Sequence, residues 1–157
     1  MAQQPSFDMS KLTSADKVLL GASLLLVIDS FLPWQRACAS FGGLGICVSR
    51  SAWGGNAAFL GILMGIFAIV LLLYVGAGAM GMTASLGPQA SMIGNVLVGG
   101  TVVFGVLKFL FSAFDHGYIF AWLGLILLLV VAYGGYMKMQ EPKASPAAPP
   151  AAGGATT

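Results

Sequence analysis

Charged side chains are nearly missing from this sequence: seven Lys and Arg and five Asp and Glu in 157 residues, 8% of the chain. A soluble domain carries roughly a quarter, so there is too little polar surface here to hold a folded globule in water. The mean hydropathy of +0.91 agrees. A formal net charge of +2 is too small for the basic footprint of a nucleic-acid binder, so no nucleic-acid partner is expected. One histidine and two cysteines cannot fill a zinc site. No Ser/His/Asp or Cys/His set, H-E-x-x-H or phosphate-binding glycine loop occurs, and five acids leave few residues for general acid–base work. The expectation is a non-enzymatic chain without metal or cofactor.

What the sequence has instead is apolar length. Hydrophobic residues make up 58% of it, and four runs approach the ~20 residues that cross a bilayer as helix. They cover 15–33, 57–80, 92–114 and 118–137. None alternates like a barrel strand, so the expected fold is all-α, a four-transmembrane-helix bundle over 15–138. Thr13 with Asp16 resembles a capping box with Asp for Glu. Pro33 and Trp34 close the first run, Ser91 after Gly87-Pro88 is a candidate N-cap, and Asp115-His116-Gly117 is short enough for a tight turn. Residues 1–14 read as a flexible cytoplasmic N-terminus. The Pro/Ala-rich stretch 139–157 reads as a disordered cytoplasmic tail.

Orientation follows the flanking Lys and Arg. Lys11, Lys17, Lys138 and Lys143 share one side, against Arg36 and Arg50 on the other, which puts both termini in the cytoplasm. The rival reading is a signal peptide ending near Ala37-Cys38-Ala39. Asp29 within the apolar run and Arg36 close behind it count against that.

The one long loop, 34–56, carries both cysteines and lies on the oxidising side in this orientation. Pairing Cys38 with Cys47 centres a hairpin on Gly42-Gly43, two residues that tolerate the positive φ of a primed turn. Counting outward, the cysteines fall at a non-hydrogen-bonded position, where side chains approach closely. A structural disulfide is expected, stabilising by about 2.5–3 kcal/mol through loop closure. Trp34 and Trp53 bracket this hairpin as interface anchors. Arg36, Arg50, Asp115 and His116 make up the polar outer face, with the arginines set to meet headgroups or Asp115.

Two charges lie within the spans, Asp29 and Lys108. Each is a functional hypothesis. At 1.5 Å per residue both fall roughly 5–10 Å below the outer helix ends. Three readings follow: a structural ion pair, a gated proton or ion path, or an interfacial Asp29 with Lys108 snorkelling outward. A small-residue stripe, Ala57, Gly61 and Gly65, marks the second run for close helix packing.

Three short motifs carry a resemblance: Thr13 to Lys17 (T-S-A-D-K), Leu32-Pro33-Trp34 and the Pro/Ala-rich Lys143 to Thr157. In these the chain resembles small four-helix membrane proteins of unknown function from actinobacteria, and the match covers its layout. What the resemblance implies is fold and location, a multi-pass plasma-membrane protein. The chain is also similar in outline to claudin-type proteins, but their W-x-x-W-x-x-C pattern is missing. The functional expectation is a scaffold or accessory subunit in the lipid bilayer, as a homo-oligomer or part of a larger membrane complex. The alternative is a small proton- or ion-coupled transporter or channel using Asp29 and Lys108.

Overall fold

The structure, a computed structural model, describes residues 9–82, 89–114 and 118–141. The expected tail and most of the N-terminal segment lie outside these residues, as do Asp115 and His116. After a single 3-10 turn the elements are α1 (Ser14–Ser30), β1 (Pro33–Phe41), β2 (Leu44–Ser51), α2 (Ala58–Ala79), α3 (Gln89–Phe114) and α4 (Ile119–Gln140). The three helices α2, α3 and α4 are long and apolar enough to cross a membrane. Helix α1, at 17 residues, is shorter than these three.

Thr13 caps α1 as its sequence predicts, accepting the Asp16 N–H at 3.2 Å. The reciprocal half of a capping box differs. The short Asp16 side chain takes the Thr13 hydroxyl proton at 3.0 Å rather than the backbone N–H, and it pairs with Lys138 in the last turn of α4. An acid at a helix start facing a base at a helix end suits both helix dipoles. At its other end α1 stops at Ser30, three residues short of the expected boundary. The residue before a proline is pushed towards extended backbone, and the Ser30 carbonyl accepts the Ala52 N–H at 3.1 Å. Pro33 therefore opens a strand instead of closing a helix.

The other boundaries differ by at most three residues, and the end of the third helix at Phe114 does not shift. Ala57, expected inside the second helix, precedes it with φ 53°, in the left-handed region. Helix α3 already includes Gln89 and Ala90, so Ser91 lies within its first turn and is not its N-cap; Gly87 and Pro88 lie outside the described residues. Helix α4 runs on to Gln140.

Each helix packs against its chain neighbours and α1 closes on α4, which makes a four-membered ring. The centre holds Leu26, Met64, Leu71, Leu128 and Val131, all fully buried. Tyr74 ties α2 to the start of α3 by donating its hydroxyl to the Ala90 carbonyl. Outward-facing positions are also apolar, among them Leu73, Val96, Ile126 and Leu129. Apolar residues on both the inside and the outside is the reverse of a water-soluble bundle.

Gly61 is where the loop meets the bundle. A Cβ there would lie 1.7 Å from the Ala52 carbonyl oxygen, a backbone atom that cannot swing aside. Gly21 in α1 faces open space. Gly61→Ala is expected to destabilise the fold by about 1–3 kcal/mol or to displace the loop. Gly21→Ala should be neutral or slightly stabilising. Thermal unfolding of both variants in mild detergent measures the difference.

Candidate functional site

The hairpin forms in the expected register. Gly42 and Gly43 have φ of 56° and 87°, Phe41 pairs with Leu44, Ala39 with Ile46 and Cys38 with Cys47. The Cys38–Cys47 disulfide joins Cα atoms 4.1 Å apart, the close spacing of a non-hydrogen-bonded antiparallel pair. Because side chains alternate across a strand, one face carries Ala37, Ala39, Leu44, Ile46 and Val48. The opposite face carries the disulfide, Arg36 and Ser49. Beyond Gln35 the apolar face of the hairpin is uncovered: Leu44, Ile46 and Val48 are 76%, 68% and 51% exposed.

The base of the hairpin is the opposite case, sealed and polar. The register shifts between Pro33 and Gln35, and such an irregularity re-aims a side chain. Trp34 thereby turns fully into the bundle, where its Nε1 donates to Asp29 Oδ2 at 3.0 Å and to the Asp29 carbonyl at 3.2 Å. Trp34 is thus a buried pin and not an interface anchor. Gly124 on α4 makes room for it: a Cβ there would meet the Trp34 ring at 2.3 Å and Asp29 Oδ2 at 2.7 Å. Trp53 stacks on Phe31 with centroids 5.5 Å apart and donates its Nε1 to Ser30 Oγ at 2.9 Å.

Asp29 and Lys108 are both buried, but they do not pair. Lys108 Nζ donates instead to the carbonyls of Gly54, at 3.0 Å, and Asn56. The ion-pair reading is therefore corrected. Loop carbonyls reach the ammonium first, while the Asp29 carboxylate is turned towards Trp34. The snorkelling reading is corrected too, because the stem runs towards the loop inside protein and Lys108 has no exposed surface. Asp29 Oδ1 is buried without a hydrogen-bond partner.

The small-residue stripe also has a different partner from a helix. Gly61 admits the Ala52 backbone, and Gly65 admits the Trp53 ring, which a Cβ would meet at 2.4 Å. Ala57 lies outside α2 and takes no part in the stripe. Arg36 and Arg50 do not face one another: Arg36 is opposite Ser49 and Arg50 opposite Gln35. The Arg36 guanidinium lies over the Tyr118 ring, 5.7 Å from its centroid.

Two residues that the sequence motifs passed over complete the base. Gln35 donates its Nε2 to Ser112 Oγ on α3 at 3.2 Å and accepts the Asn56 N–H on its Oε1 at 3.0 Å. A glutamine beside a tryptophan at a strand foot carries no motif; only its burial marks it. No family model, curated protein or solved structure matches the chain.

Every polar group named here, Asp29, Ser30, Gln35, Lys108 and Ser112, is attached to the hairpin or the loop behind it. Lys108→Met would leave the Gly54 and Asn56 carbonyls without their donor, at about 1–3 kcal/mol for a buried acceptor. Hydrogen exchange is the measurement: amides of 52–60 should lose protection while those at the centre of α4 keep theirs.

Proposed function

We propose that this chain is a non-enzymatic integral membrane protein of four spans that displays a rigid outer hairpin as the docking element of a scaffold or accessory subunit. On this reading it lies in the plasma membrane with both termini cytoplasmic and the hairpin outside. The disulfide fits an oxidising compartment, and four Lys against two Arg favours that orientation. Helix α1, about 26 Å long, completes the ring as the fourth span, made whole by packing on α2 and α4.

The observation that carries the docking role is the contrast within the hairpin. Its base is buried and hydrogen-bonded to two helices, α1 and α3, while Leu44, Ile46 and Val48 sit on one exposed face. A disulfide across the strands holds that face in shape before any partner arrives, which lowers the ordering cost of binding. The test is a photo-crosslinking residue placed singly at 44, 46 and 40 in cells. Discrete adducts from 44 and 46, absent from 40 and lost in Cys38→Ser, are the expected result. Adducts independent of face would refute the docking role.

Asp29 Oδ1 favours a second reading, a proton or ion path, since a buried oxygen without a partner is what a passing cation would use. That path calls for a flux in proteoliposomes that Asp29→Asn abolishes. On the docking reading, no flux above empty liposomes is expected from either protein.

A further inference from the structure

The disulfide face of the hairpin forms a cavity against the start of α4. It measures about 160 Å³ and is lined by Pro33, Arg36, Cys47, Ser49 and Tyr118. Arg36 and Ser49 are cross-strand partners, so their side chains stand together on this face. The guanidinium rests over the Tyr118 ring at 5.7 Å. A guanidinium beside an aromatic ring keeps its N–H donors, which can bind phosphate in bidentate fashion, and Arg36 is exposed. Among the described residues Arg36 makes no ion pair.

The surroundings say what kind of phosphate fits. Tyr118 directly precedes α4, and Ile119, Trp122 and Ile126 follow at spacings of three and four, all exposed. Side chains at that spacing form one stripe down a helix. Polar donors at the top of an exposed apolar stripe, at the depth where aromatic side chains gather, match a phosphate diester with acyl chains beneath it. A lone exposed guanidinium holds a free phosphate ion weakly against water and salt. A lipid brings its phosphate already confined to this depth.

We infer that the Arg36–Ser49–Tyr118 cavity is a phospholipid site: Arg36 and Ser49 donate to the phosphodiester while the acyl chains lie along Ile119, Trp122 and Ile126. This rests on the membrane reading and is independent of hairpin docking.

The full chain, purified in mild detergent and stripped of lipid, is titrated by native mass spectrometry. The probes are phosphatidylglycerol, a diacylglycerol with the same chains, and inorganic phosphate. One phosphatidylglycerol should be retained, about tenfold more weakly in Arg36→Gln and about threefold in Ser49→Ala, and undiminished in Arg50→Gln. An intact disulfide and unchanged circular dichroism establish that the variants are folded, and Ser49→Ala serves alone if Arg36→Gln is not. Equal retention of diacylglycerol means the chains alone bind, and displacement of the lipid by inorganic phosphate at similar concentration means a free-phosphate site. Either result overturns the inference, as does wild-type retention by Arg36→Gln or, in its place, Ser49→Ala. A chain that fractionates with soluble proteins without detergent would instead overturn the membrane reading.

Discussion

A lysine ammonium sealed inside an apolar bundle has to be given oxygen, and in this fold the oxygen comes from the backbone of the loop. Lys108 on α3 reaches the carbonyls of Gly54 and Asn56, just ahead of α2. An irregular segment there has carbonyls that no ladder or helix uses, so the ammonium and the loop each satisfy what the other lacks. Drawing that segment inward brings Ala52 and Trp53 onto α2, where only glycine at 61 and 65 leaves space for them. Both feet of the hairpin are then fastened, one through this loop and the other through Trp34 and Gln35.

The C-terminal end of α1 has the same task from the other side. Asp29 and Ser30 hold the indoles of Trp34 and Trp53, and the Ser30 carbonyl takes the Ala52 N–H. At the opposite end of the bundle, Asp16 and Lys138 join α1 to α4. Between the two ends the core is leucine, valine, methionine and glycine with hydroxyls turned back on their own helices, as Ser23 to Leu20 and Thr101 to Leu97. Interactions with direction are gathered at the ends, and the middle is held by shape. That division leaves the apolar face of the hairpin beyond Gln35 uncovered, with its geometry set by the Cys38–Cys47 bond.

The hairpin register was legible because everything that sets it is local: two glycines able to take positive φ, and two cysteines placed symmetrically about them. The helices were legible because apolar length is a property of consecutive residues. Their ends were less so, since Ser30 and Gln140 are fixed partly by a carbonyl partner and a salt bridge from elsewhere in the chain. Depth arithmetic brought Asp29 and Lys108 to similar height, but height is one coordinate of three. It said nothing about which way each side chain turns, and backbone carbonyls leave no mark in a residue pattern. The glycine stripe was visible as a stripe; that a tryptophan and a loop backbone fill it was not.

From its sequence alone the chain determined the apolar helices, the polar loop between the first two and the disulfide that closes it. Each follows from residues near one another along the chain. Only the tertiary structure decided what the buried charges hold, which tryptophan points inward and which face of the hairpin is left bare. Those depend on which groups from distant segments reach a buried polar atom first, and in an apolar interior that contest is settled by geometry in three dimensions.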